Sequence, residues 1–268
     1  TLVASERYGV PLVKPAVAVL PVQLIGARSR FASSAGNGAK RIVELRSMVQ
    51  ALHQAGLRVG MDVVYNHTTA SGQNVKSVLD RVVPGYYHRR GNSDGAVLGD
   101  SCCEDTASEF QMMEKLMIDT GLTWVSDYKV AGFRFDLMSM HPLGVMENFK
   151  AAVQGVDSSV YVYGEGWNIE APIQNDAWFE QARQANLGGT DIGSFSDRIR
   201  DPIRGGGPFD GGDAHIKNQG FISGQFYDPN ALNSGAEAER VALLNGADNI
   251  RVWQAGGLPL EFPTISLG

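Results

Sequence analysis

Sulfur, excess positive charge and long apolar runs are all scarce in this chain. Its 268 residues hold two cysteines, Cys102 and Cys103, which are adjacent. Neither a disulfide framework nor a CxxC metal spacing can be built from them, and the pair reads as packing or a local disulfide rather than a ligand pair. Lys and Arg number 23 against 29 Asp and Glu, a net charge of −6. That balance excludes nucleic-acid binding driven by bulk positive charge and leaves small neutral ligands or polymers open. The longest apolar stretch, residues 10–25, is interrupted by Lys14 and by Pro11, Pro15 and Pro21. It falls short of the roughly 20 apolar residues of a membrane span; as a signal-peptide core it is a weak match, since no basic segment and clean cleavage site frame it. No repeat or low-complexity tract is present. The chain opens on threonine, as a fragment or a processed product would. None of this separates a secreted, periplasmic, plastid or cytoplasmic setting.

What is present is a core-forming composition. Hydrophobic residues are 43% of the chain and charged residues 19%, enough apolar surface for a large core. Residues 1–29 carry no clear period. From Lys40 onward, Ile42, Leu45, Val49, Leu52 and Ala55 recur at helical spacing and Gly56 follows as a stop. Residues 57–65 form a compact run rich in β-formers, ending in Asn66-His67. The unit then recurs. Thr106-Ala-Ser-Glu109 has the form of a capping box ahead of a helix carrying Met113, Leu116, Met117, Trp124 and Tyr128. Residues 132–137 read as a strand, 142–153 as a helix with Pro142 in its first turn, and 159–164 as a strand. A further helix is expected near 177–186 and a glycine-rich strand over 188–195. The loops 91–100 and 205–213 are polar and glycine-rich. Alternating helix and strand with short αβ links predicts a parallel α/β architecture, its strands apolar on both faces beneath covering helices.

Polar residues gather at the C-terminal ends of three of these strands. One strand holds Asp62 and closes on Asn66 and His67, the next holds Arg134 and Asp136, and the third ends on Glu165 between Gly164 and Gly166, followed by Trp167. In parallel α/β sheets ligands bind at these ends. Period two puts Arg134 and Asp136 on one strand face and Phe133 and Phe135 on the other. A guanidinium beside a carboxylate favours its ionised form, which a carboxylate nucleophile requires. A second carboxyl, Glu165, set among glycines and aromatics, suits a proton donor. Such a pair does the work of glycoside hydrolysis, with a separation of about 5–5.5 Å in enzymes that retain configuration. Gly91-Asn-Ser93-Asp-Gly95 matches a nucleophile-elbow pattern, but no strand precedes it and no apolar helix follows. Asn66-His-Thr68 matches a glycosylation sequon and is discounted because Asn66 falls in the candidate site. No lysine or phosphate loop stands at a strand end, as an aldolase-type barrel would need.

These residues carry a resemblance. Asp62-Val-Val-Tyr-Asn66-His67, Gly132-Phe-Arg134-Phe-Asp136-Leu-Met and Tyr163-Gly-Glu165-Gly-Trp167-Asn168 are similar, in order, to three signature regions of the α-amylase family of (β/α)8-barrel glycoside hydrolases. Leu-Met after Asp136, Gly-Trp-Asn after Glu165, and the stretches 78–87 and 197–201 with its glycine-rich sequel resemble the pullulanase and limit-dextrinase debranching subgroup. The resemblance implies α-1,6 branch cleavage in pullulan, starch or glycogen limit dextrins by a retaining double displacement. Asp136 would be the nucleophile, Glu165 the acid/base, and Arg134 the group that orients Asp136. Asp62, Asn66 and His67 would shape the subsite of the reacting glucose, and Trp167, Asn168 and His141 the acceptor side. The partner implied is an α-glucan polysaccharide or oligosaccharide. No cofactor or metal ligand set is implied, and calcium dependence cannot be read from these residues.

The chain departs from the family's pattern in places. A fourth signature, of the form His-Asp-Asn, supplies another aspartate, yet none of His53, His67, His88, His141 and His215 precedes an Asp. The upstream Tyr-Asn-Trp-Gly-Tyr-Asp-Pro motif is absent, Ala131 stands for a usual acidic residue and Phe110 for a usual histidine. The expectation is therefore an α/β chain forming a partial (β/α)8 TIM barrel, about strands three to six, over residues 30–250. An atypical N-terminal segment, 1–29, and an atypical tail, 251–268, would flank it. Hydrolysis would be impaired by the missing aspartate, and the competing expectation is a non-catalytic glucan-binding remnant.

Overall fold

The structure, a computed structural model, describes residues 16–23, 32–34, 36–91, 94–100, 102–168, 179–207 and 210–224. The segment 169–178, the tail from 225 and Ser93 of the rejected elbow pattern lie outside the described residues. The chain divides into two units, residues 1–187 and 188–268, a boundary inside the stretch read above as one partial barrel.

The first unit is built on a parallel sheet with strand order β1 (Ala16–Gln23), β2 (Arg58–Val64), β5 (Gly132–Phe135), β6 (Tyr161–Gly164). The parallel α/β class is thus as the periodicity predicts. β1 falls in the segment that showed no period. Its register against β2 shifts between Val19 and Pro21, the kind of irregularity that lets a proline sit in a strand. β2 and β5 run in register with Asp62 opposite Arg134, and β5 and β6 with Arg134 opposite Tyr163.

Three long helices follow the expected pattern. α1 (Gly38–Gln54) starts at Asn37, whose side chain accepts from Lys40 N at 3.0 Å, and Gly56 closes it at φ 79°, a left-handed angle that glycine adopts without strain. α3 (Gln111–Tyr128) does not use the expected capping box: its N-cap is Phe110, with no side-chain cap bond. The reason lies in competing partners. Thr106 Oγ1 donates to the Tyr65 carbonyl, and Glu109 takes a two-point salt bridge from Arg89, at 2.9 and 2.7 Å. α4 (Leu143–Val156) begins one residue after Pro142, which is the N-cap rather than part of the first turn and forms a bridge with Gln181. Of the helix expected near 177–186, residues 179–186 form turns instead. Their backbone is tied outward: Leu143 N donates to Glu180 O and Ala182 N to His141 O. The remaining elements are the short α2 (Leu79–Val82) and a two-stranded antiparallel ribbon, β3 (His67–Thr68) with β4 (Glu104–Asp105).

The strands are not apolar on both faces. Val59, Met61, Val63, Phe133, Phe135 and Val162 are buried on one face, where Phe149 of α4 meets Phe133 and Phe135 edge-on at 5.2 and 4.9 Å. Alternate positions, Asp62, Arg134 and Tyr163, are half-buried. The period-two reading of Phe133 and Phe135 against Arg134 therefore stands, and it moves the polar residues together.

The second unit contains the short strand β7 (Gly193–Ser194), where a longer strand over 188–195 was expected, then α5 (Asp197–Arg204) and α6 (Asp213–Lys217). Ser223 Oγ donates to Arg204 O at 2.9 Å, and the Asp210 carboxylate takes Gly207 N at 2.9 Å and Asn218 Nδ2 at 3.0 Å. Among the described residues no helix is long and apolar enough to cross a membrane.

Candidate active site

The parallel register delivers Asp62, Arg134 and Tyr163 as one row across three strands, and the next residues along, Asp136 and Glu165, lie at the strand ends. Arg134 is the hub. Its Nη1 lies 2.8 Å from Asp62 Oδ1 and 3.1 Å from Asp136 Oδ1, and its Nη2 lies 2.7 Å from Glu165 Oε1. Three carboxylates thus converge on one guanidinium, whose planar fork of donors suits several oxygens at once. Burial works against the charge of Arg134, but the bond to Asp62 and the fields of Glu165 and Asp62 outweigh it and raise its pKa. Asp62 shifts upward because burial penalises its charge more than Arg134 favours it.

Backbone geometry fixes the other oxygens. Asn66 is buried, and its Nδ2 donates to Asp136 Oδ2 at 3.1 Å and to the Asp136 carbonyl at 3.0 Å. Leu137 adopts φ 39°, ψ 52°, a left-handed conformation that costs a non-glycine residue roughly 1–3 kcal/mol. In that turn its N–H donates to Glu165 Oε2 at 3.0 Å. Gly164 permits the approach of the two strand ends, because a Cβ there would lie 2.5 Å from the Phe135 carbonyl oxygen. Asp136 and Glu165 are separated by no more than one guanidinium and two hydrogen bonds. At 27% and 21% side-chain exposure both are open to solvent.

The remaining sequence-derived candidates divide. His67, on β3, is half-buried, with Nε2 3.6 Å from Cys102 Sγ. Asn168 is exposed, its Nδ2 3.3 Å from Gln184 Oε1 and its Oδ1 accepting from Ala185 N at 3.2 Å. Trp167 is half-buried beside it. His141 departs from the expectation of a sugar-lining residue. It is fully buried, with Nδ1 2.8 Å from Ser108 Oγ and its ring edge-on to Phe135 at 6.0 Å. Burial, aided by the nearby Arg89 charge, pushes its pKa down to about 3, so it serves as a neutral packing group. Tyr163 and the Leu137 N–H were missed. Counting back two from Glu165 finds Tyr163, whereas nothing in the side-chain pattern announces a backbone donor. Cys102 and Cys103 form a disulfide.

Comparison with known proteins extends over about four-fifths of the chain. The chain matches no family model. It is 49% identical over 221 residues to the chloroplastic pullulanase 1 of Arabidopsis thaliana, covering 79% of this chain and 22% of that protein. With the pullulanase of Klebsiella pneumoniae it shares 47% over 223 residues, 82% and 20% of the two chains. Among solved structures, PulA from Klebsiella oxytoca superposes with a TM-score of 0.76 at 44% identity, over 81% of this chain and 20% of that one. A Klebsiella pneumoniae pullulanase complexed with maltotriose gives 0.69 at 46%, over 74% and 18%. The chain spans about a fifth of the length of these relatives.

Proposed function

The chain belongs to the pullulanase-type α-amylase family, and we propose that this site is the hydrolytic centre of an α-1,6-glucan debranching enzyme. The parallel strands are read as an arc of a (β/α)8 barrel, with the candidate site at its C-terminal rim. The observation that carries the reading is the grip of one arginine on Asp136 and Glu165 at the ends of adjacent strands.

The chemistry follows from which atoms are held. Asp136 is anchored through Oδ1 by Arg134 and through Oδ2 by Asn66. A carboxylate held in this way suits attack on an anomeric carbon with little reorientation, forming a glycosyl ester while the bond to the leaving oxygen breaks. Glu165 supplies the proton to that oxygen, then removes one from the water that hydrolyses the ester. To act as a donor Glu165 first takes a proton from solvent on the oxygen freed from Arg134 Nη2 or from Leu137 N–H, as substrate hydroxyls replace the Arg134–Glu165 pair. The retaining double displacement is taken from the family resemblance, in which the two carboxyls stand about 5–5.5 Å apart. Asp62, Asn66 and His67 shape the reacting-sugar subsite, and Trp167 and Asn168 the acceptor side. The Klebsiella pneumoniae relative solved with maltotriose supports a short α-glucan as ligand.

A second reading is favoured by one sequence feature: no histidine in the chain precedes an aspartate. Loss of one transition-state-stabilising group costs on the order of 10²-fold or more in rate, so this chain by itself is read as a glucan binder with little turnover. A reducing-sugar assay on pullulan with the chain and its Asp136→Asn variant tests both. Slow release that vanishes in the variant supports the hydrolytic reading. Release equal in the two contradicts it and leaves the binding remnant.

A further inference from the structure

The disulfide Cys102–Cys103 lies beside the candidate site, and the function proposed above gives it no role. Cys103 directly precedes β4, and β4 pairs with β3 so that His67 stands opposite Asp105. This ladder brings His67 Nε2 to 3.6 Å from Cys102 Sγ. One ligand atom from each of His67, Cys102 and Cys103 falls within a 4.8 Å cluster. Cys102 is exposed and Cys103 half-buried. The adjacent carboxylates have other engagements: Glu104 accepts from Ser71 Oγ at 3.0 Å and Asp105 from Asp100 N at 3.0 Å.

We propose that His67, Cys102 and Cys103 form a redox-gated site for a soft divalent cation. As the disulfide, the two sulfurs are covalently closed and only the imidazole can bind. A dithiol or phosphine reductant delivers two electrons, the S–S bond breaks, and two protons complete two thiols while the reductant is oxidised. A cation then displaces both thiol protons, so two thiolates and one neutral imidazole balance its 2+ charge. Thiolate and imidazole are the donors that soft metals prefer, and three protein ligands leave a fourth position for water. The carboxylates of the catalytic pair do not take part. The consequence for sugar binding rests on the function proposed above: a cation on Nε2 withdraws His67 from the reacting-glucose subsite.

The test titrates the 268-residue chain with Cd2+, before reduction and after reduction with a phosphine that is then removed without air. Cation uptake is read from the thiolate-to-cadmium ultraviolet band and from competition with a colorimetric chelator. One equivalent bound by the reduced chain and none by the disulfide form is the expected result. Cys102→Ser, Cys103→Ser and His67→Gln should each weaken binding by more than about tenfold, since even removing a group that merely supports a ligand costs 10–100-fold. The disulfide form of the parent serves as the folded comparator. Failure of the reduced parent to take up Cd2+ overturns the proposal. So does equal uptake by the Cys102→Ser/Cys103→Ser double variant, or uptake indifferent to His67→Gln. Maltotriose binding to the reduced chain, measured with and without Cd2+, separates the two readings. Weaker binding with the cation supports the coupling, and unchanged binding overturns it. No maltotriose binding in the absence of cation counts against the glucan site alone.

Discussion

At the scale of residues, one guanidinium gathers the carboxylates of the candidate site. Arg134 holds Asp62, Asp136 and Glu165 at 2.8, 3.1 and 2.7 Å, so removing it leaves three carboxylates facing one another with no cation between them. Arg134→Lys keeps the charge but not the fork, and maltotriose binding by the variant should weaken by about tenfold or more, measured calorimetrically; affinity equal to the parent would contradict the hub role. The sequence made this trio legible because period two and parallel strand ends are strong geometric constraints. It misplaced His141, since a polar residue next to a signature looks the same whether it faces a ligand or the core. Burial gives His141 a stability signature. Its folded pKa is about 3 against roughly 6.5 when unfolded. Between those values the unfolded chain binds a proton that the folded chain does not, so stability falls on acidification by up to about 1.4 kcal/mol per pH unit. Denaturant unfolding of the chain and of His141→Gln between about pH 6 and 4 should show the variant less pH-sensitive by nearly that slope; parallel profiles would refute it.

At the scale of elements, contact between neighbouring strand ends decides the site. Gly164→Ala would drive a Cβ to 2.5 Å from the Phe135 carbonyl and 2.8 Å from its Cβ. Overpacking of this kind costs about 1–3 kcal/mol, and it displaces Glu165 as well. A lowered melting temperature together with lost maltotriose binding is expected; a variant matching the parent in both would show that the close approach is dispensable. The same scale explains which elements could be read. α1, α3 and α4 carry a 3.6-residue apolar stripe, and β2, β5 and β6 alternate, so local pattern and tertiary placement agree. Residues 179–186 have helix-compatible composition, yet their backbone bonds go to Leu143, His141 and Gly166, partners that no local window contains. The capping-box pattern at 106–109 failed for the same reason, because Thr106 and Glu109 were claimed by Tyr65 and Arg89. β1 was hidden by its proline, which the register shift beside it accommodates.

At the scale of the whole molecule, the chain matches about a fifth of its pullulanase relatives. Among the described residues β1 ends the sheet, and Val75, Val78 and Val82 are 83%, 66% and 67% exposed. Unpaired strand edges and exposed apolar side chains favour association. Expressed by itself, the chain should elute from a sizing column well above monomer mass; a monomeric peak with a sharp melting transition would contradict this. The account as a whole depends on the relation between Asp136 and Glu165. The most direct measurement is their carboxyl separation in an experimental crystal structure of the chain with maltotriose bound. The account predicts about 5–5.5 Å, with the two groups flanking one sugar ring. Carboxyls about 6.5–9.5 Å apart, or directed to opposite faces of the sheet, would contradict it.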